Sequence, residues 1–151
     1  MNEKLELKIE QLENCIALPH YATEGAAGMD LVAANKEPIT LGSLDRALVP
    51  TGIKIQLPKG YEAQVRARSG MAIKHGITLS NCVGTIDEDY RGEICVGIIN
   101  LSKESYTINS GDRIAQMIIA KVEHVEILTV LSLDETARAA GGFGSTGYKS
   151  H

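Results

Sequence analysis

The chain holds no Trp and a single Phe, Phe143, so whatever core it forms has to be built from aliphatic side chains. Those aliphatics arrive in short runs that alternate with polar residues at period two, the pattern of strands with one buried face. The runs lie at 4–9 (KLELKI), 29–34 (MDLVAA), 46–57 (RALVPTGIKIQL), 61–67 (YEAQVRA), 76–81 (GITLSN), 93–101 (EICVGIINL), 105–108 (SYTI), 114–122 (IAQMIIAKV) and 125–130 (VEILTV). Turn signals separate them at Pro19, Glu24-Gly25, Pro38, Leu41-Gly42, Pro58-Lys59-Gly60, Arg91-Gly92 and Ser110-Gly111. About nine or ten short, evenly spaced strands predict an all-β fold, a jelly-roll-like β-barrel. One short helix is expected over 69–76 (SGMAIKHG), with Ser69 as its cap. The 151 residues suit one domain that buries roughly 70% of its unfolded surface.

Charge and composition exclude several classes of function. Net charge is −4, so there is no excess of Lys and Arg to displace counterions from a nucleic-acid backbone. No apolar run approaches the ~20 residues that cross a bilayer as a helix. The first residues, MNEKLELKIEQLEN, carry acids and no apolar stretch, so neither a signal nor a transit peptide is expected, and the chain reads as cytoplasmic. Cys15, Cys82 and Cys95 form no CxxC pair; they are expected to be reduced thiols buried as small core residues.

The character changes near residue 135. The segment ETARAAGGFGSTGYKSH is Gly-rich and poor in aliphatics, so it cannot bury itself as a strand. We expect two parts: a β catalytic domain over 1–134, and a flexible C-terminal arm over 135–151 that holds the only Phe beside an Arg and a Ser-Thr pair.

Polar residues that strands do not need fall into five clusters: Ala27-Gly28-Met29-Asp30-Leu31, Arg68-Ser69-Gly70, Asn81 through Tyr90 (NCVGTIDEDY), Gly111 through Gln116 (GDRIAQ), and Arg138 with Gly141 through Gly147 (GGFGSTG). Each has a plain structural reading. Asp30 can cap a turn, Asp112 and Arg113 can pair at the surface, and Glu88-Asp89 can be a solvated acidic turn. Together they suit phosphate: Arg supplies bidentate donors, Ser and Gln neutral donors, and Gly-rich backbone an anion nest. No GxxxxGK[ST] occurs, so this is not a Walker loop.

In this order and spacing, AGMDL, RSG, GTIDEDYRG, GDRIAQ and GGFGSTG resemble the five motifs of the trimeric dUTP pyrophosphatase (dUTPase) family, over Ala27 to Gly147. The resemblance implies a jelly-roll homotrimer with active sites shared between subunits. It implies hydrolysis of dUTP to dUMP and pyrophosphate with Mg²⁺, which keeps uracil out of DNA and supplies dUMP for thymidylate synthesis. Carried over residue by residue, Asp87 is the general base for water attack on the α-phosphate; a carboxylate ionised at neutral pH accepts the water's proton directly. Arg68, Ser69, Gly70 and Gln116 meet the α- and β-phosphates. Asn81, Gly84, Thr85 and Ile86 read uracil, and Tyr90 packs on the deoxyribose. Arg138, Phe143, Gly144, Ser145 and Thr146 close over the nucleotide. Asp30 acts on the metal through its waters, a mode that suits Mg²⁺. Arg113 is expected to partner a carboxylate; for Arg91 a structural and a functional role both stay open.

Two other classes share the scaffold. A dCTP deaminase would need a Glu on the strand after the third motif, where Gly97 stands here, and a non-catalytic nucleotide binder would lack the base or the arm, whereas Asp87 and GGFGSTG are both present.

Overall fold

The computed structural model describes residues 4–149; residues 1–3, 150 and 151, which begin the expected domain and end the expected arm, lie outside the described residues. Eleven strands and one short helix follow in chain order: β1 (Lys8–Gln11), β2 (His20–Tyr21), β3 (Met29–Val32), β4 (Ile39–Leu41), β5 (Arg46–Gln56), β6 (Tyr61–Arg66), α1 (Ser69–His75), β7 (Ile77–Leu79), β8 (Val83–Ile86), β9 (Glu93–Asn100), β10 (Tyr106–Ile108) and β11 (Arg113–Lys121). They pair as an antiparallel sheet β1-β5-β9-β7, a sheet β2-β3-β11-β6-β8 and a ribbon β10-β4. One continuous core joins all three, with Leu31, Val65 and Met117 from the five-stranded sheet, Val49, Ile53, Val96 and Ile98 from the four-stranded one, and Leu41 and Ile108 from the ribbon. This is the expected all-β, jelly-roll-like arrangement with one helix.

Alternation in β9 is clean: Ile94, Val96, Ile98 and Asn100 are buried, and the residues between them face out. The buried Asn100 is fully partnered. Its Nδ2 donates to Leu41 O at 2.9 Å and Glu104 O at 2.7 Å, and its Oδ1 accepts from Ser102 N at 2.9 Å and Ser102 Oγ at 2.8 Å. A buried amide so satisfied joins β9 to β4 without the cost of an unpaired polar group.

Four expectations need correcting. The strand expected over 4–9 starts only at Lys8, because pairing with β5 runs from Lys8 opposite Gln56 to Gln11 opposite Ile53. No strand forms over 125–130; among the described residues Val125 (82% exposed) and Ile127 (86%) meet no sheet edge, and alternation without a partner strand makes no ladder. Ser69 is the first helical residue of α1 and not its cap; Arg68 takes that position, extended at φ −84° and ψ 128°, with no side-chain bond to the helix end. No cysteine is a core residue: Cys82 is exposed and Cys15 and Cys95 are partly buried. For Cys95 the reason is parity, since burial of Ile94 and Val96 turns residue 95 outward. Among the described residues no helix is long and apolar enough to cross a membrane.

Candidate active site

The third motif builds one wall of a cavity of about 310 Å³. Its β8 residues are held on β6, with Gly84 opposite Val65, Thr85 opposite Gln64 and Ile86 opposite Ala63. The preceding turn is fixed by Ser80 N donating to Gly97 O at 2.9 Å and Val83 N to Asn81 O at 2.7 Å. The following turn closes by Tyr90 N donating to Asp87 O at 3.1 Å, which leaves Asp87 exposed at the cavity's edge. Glu88 Oε2 accepts from Gly60 N at 2.7 Å, and Arg91 Nη1 donates to Glu88 O at 2.7 Å, so both side chains brace this turn. Asn81, Gly84, Thr85, Ile86, Asp87 and Tyr90 therefore share one cavity, completed by Leu48, Val65, Leu79 and residues 93–97 of β9. Gly97 lies in that lining, so no carboxylate stands where a deaminase would carry its Glu. Burial, and secondarily the carboxylate of Glu93, push the Cys95 thiol up, which keeps it a protonated wall group and a poor nucleophile.

A second cluster forms where β3, β11 and β6 run side by side. Gln116 stands opposite Asp30 on one side and Arg66 on the other. Asp30, only 14% exposed at its side chain, accepts two guanidiniums: Arg68 Nε lies 3.5 Å from Oδ1 and Arg113 Nη1 lies 3.2 Å from Oδ2. Arg68 Nη1 also donates to Arg113 O at 3.0 Å, and Gln116 Nε2 to Ala67 O at 3.1 Å. Arg113 is thus the carboxylate partner it was expected to be. Two guanidiniums, Arg68 and Arg113, thus meet one carboxylate, a local positive excess suited to an anion.

The two clusters draw on different parts of the five-stranded sheet: the cavity lies at its β8 edge, whereas Asp30, Arg68 and Arg113 meet at the β3 and β11 strands. The charged residues lining the cavity are Asp87 and Glu93, both acidic, so a triphosphate would find no countercharge there. The fifth motif joins neither cluster. Arg138 Nε donates to Gly141 O at 2.7 Å, successive turns hydrogen-bond within the segment, and Phe143 is fully exposed. Sequence reasoning missed Glu93, whose contacts reach residues far away along the chain.

Comparison with known proteins adds an independent line. A family model described as dUTPase matches residues 14–147. Among curated proteins, the deoxyuridine 5'-triphosphate nucleotidohydrolase of Finegoldia magna is 61% identical over 131 residues, covering 87% of this chain and 92% of that protein. The protein of the same description from Rickettsia rickettsii is 59% identical over 143 residues, covering 94% and 97%. Among solved structures, the dUTPase of Staphylococcus bacteriophage 80alpha, as a G164S mutant with dUpNHpp, superposes with a TM-score of 0.85 at 25% identity, covering 95% of this chain and 99% of that one.

Proposed function

The chain belongs to the dUTPase family and is a dUTP diphosphatase, and we propose that it works by Mg²⁺-assisted attack of water on the α-phosphorus, at sites completed only in a homotrimer. Asp87 is the base: it orients the water and takes its proton as the new P–O bond forms and pyrophosphate leaves. The observation that carries this reading is the convergence of Asp87, Asn81 and Tyr90 on one cavity sized for a nucleoside. Asn81 and the backbone of Gly84, Thr85 and Ile86 read the uracil edge, and the Tyr90 ring lies along the sugar. Arg68, Ser69, Gly70 and Gln116 hold the α- and β-phosphates, where donors act on charge moving to the leaving group. Product dUMP would feed thymidylate synthesis, and free thiols at Cys15, Cys82 and Cys95 suit a reducing, cytoplasmic setting.

Among the described residues no three His, Cys, Asp or Glu side chains converge as a metal cage. Such donors would suit Mg²⁺ held mainly by substrate phosphates and water; Asp30, which keeps lone pairs beyond its two guanidinium partners, would hold the ion through one of its waters. When bound, the ion supplies charge neutralisation along the phosphate chain. Turnover of dUTP against dTTP, dCTP and UTP, with and without Mg²⁺, tests the reading; preference for dUTP that vanishes on chelation is the expected result, and equal turnover of all four would refute it.

The same geometry supports assembly. The cavity lining carries Asp87 and Glu93 and no cation, and among the described residues the apolar run at 125–133 pairs with no strand. Both features support a neighbouring copy that brings phosphate donors, and the arm, to each cavity. Mixing Asp87→Asn chains with chains truncated before Arg138 should then restore activity through mixed trimers. Strict inactivity of exchanged mixtures would mean that base and arm come from one chain.

Sugar selection is the next consequence. With its ring along C2′, Tyr90→Ala opens space for a 2′-hydroxyl, so the ratio of kcat/KM for dUTP to that for UTP should fall by at least ~10-fold, the scale on which pockets discriminate small groups. An unchanged ratio would remove Tyr90 from that role.

A further inference from the structure

Tyr90 does not stand free at the cavity. Its hydroxyl donates to the backbone carbonyl of Glu93 at 3.0 Å, and the ring lies so close over Gly92 that a Cβ there would clash with the hydroxyl oxygen. The position of the ring is therefore tied to where Glu93 holds the start of β9. That residue is itself held from the other side. Glu93 Oε1 accepts from Gly52 N at 2.9 Å and from Asn14 Nδ2 at 3.2 Å.

Both donors belong to a crossing. Pairing of β5 with β9 shifts register between Pro50 and Lys54, and Gly52 sits in that bulge at φ +72°, a left-handed conformation that costs other residues. The segment at 12–15 passes directly over it: Leu12 N donates to Gly52 O at 2.8 Å, and a Cβ on Gly52 would lie 2.5 Å from Cys15 Cα. Asn14 Nδ2 also reaches Ala34 O at 3.4 Å. One carboxylate oxygen thus gathers an N-terminal strap, a strand bulge and the first residue of β9, which carries the anchor of Tyr90.

We infer that Glu93 is a positioning residue for sugar discrimination: by clasping Asn14 and the Gly52 bulge, its side chain fixes the backbone carbonyl that anchors the Tyr90 hydroxyl. This rests on the reading of Tyr90 as the sugar wall. The geometry explains why the wall is rigid: a tyrosine bonded only to mobile backbone would yield to a 2′-hydroxyl, whereas one bonded to a clasped strand end does not. Discrimination of a single hydroxyl depends on a neighbour that cannot move aside.

The test compares kcat and KM for dUTP and UTP in four variants of the full chain with Mg²⁺ present. Glu93→Ala should lower the dUTP-to-UTP ratio of kcat/KM by about tenfold, mainly through improved use of UTP, and leave kcat for dUTP within a few-fold of native. Glu93→Gln keeps an oxygen acceptor for both donors and should restore the ratio. Tyr90→Phe keeps the ring and loses only the anchor, so it should reproduce the loss; Asn14→Ala should reproduce part of it. If Glu93→Ala fails to fold, Tyr90→Phe and Asn14→Ala carry the test by themselves. A ratio unchanged in Glu93→Ala and Tyr90→Phe, while Tyr90→Ala still lowers it, would overturn the clasp and keep the sugar wall. A ratio unchanged in Tyr90→Ala as well would overturn the wall itself, and Glu93→Gln behaving like Glu93→Ala would overturn the acceptor role of the carboxylate.

Discussion

Asp87→Asn is expected to bind dUTP much as the native chain does and to turn it over at least ~10²-fold more slowly, the low end for loss of a positioned base. Asn keeps the size and the hydrogen-bonding oxygen but cannot accept a proton from water. The turn that carries residue 87 is closed by backbone, Tyr90 N to Asp87 O at 3.1 Å, and is braced by Glu88 and Arg91, so the substitution leaves its shape unchanged. The loss should therefore fall on kcat with KM little affected. Near-native kcat in this variant would take the base role away from Asp87.

Deleting residues 138–151 should lower kcat/KM by orders of magnitude while leaving the thermal midpoint nearly unchanged. The described part of this segment hydrogen-bonds within itself, and Phe143 packs on nothing in the core, so its removal costs the fold little. On the proposed reading its value lies in closure over the nucleotide. Ordering some ten residues costs on the order of 10 kcal/mol of backbone entropy. Contacts of Arg138, Ser145, Thr146 and the Gly144 backbone with the β- and γ-phosphates, and of Phe143 with uracil, have to offset that cost, so dUTP should close the arm and dUMP should not. Closure would then exclude water and fix the phosphate chain for in-line attack. Phe143→Ala should show a milder defect, since base–aromatic stacking is worth roughly 1–3 kcal/mol. Full activity of the truncated chain would return the segment to an idle terminus.

Much of this molecule was legible in its residues, and the failures have physical causes. Period-two alternation located β3, β5, β6, β7, β9, β10 and β11 because each buries one face on a shared core. The same rule misplaced the run at 125–130, because alternation reports a strand's faces and not whether an edge exists for it to pair with. Parity held the answer for Cys95 as well: with Ile94 and Val96 inward, residue 95 has to face out. The third motif's residues were expected together and do line one cavity, since they are consecutive on a hairpin. The grouping of Asp30 with Arg68 and Arg113 depends on pairing between strands far apart in sequence, which no local pattern encodes. Glu93 was invisible for the same reason: it looks like the polar opening of a strand, and only the crossing of 12–15 over Gly52 gives its carboxylate work.

Which phosphorus the water attacks decides the role of Asp87. Hydrolysis of dUTP in ¹⁸O-labelled water, followed by ³¹P NMR of both products, reads this directly. Attack on the α-phosphorus by the water that Asp87 holds predicts one labelled oxygen in dUMP and none in pyrophosphate. Label in pyrophosphate, with dUMP unlabelled, would mean attack on the β-phosphorus and would contradict the placing of Asp87, Ser69 and Gln116 around the α-phosphate.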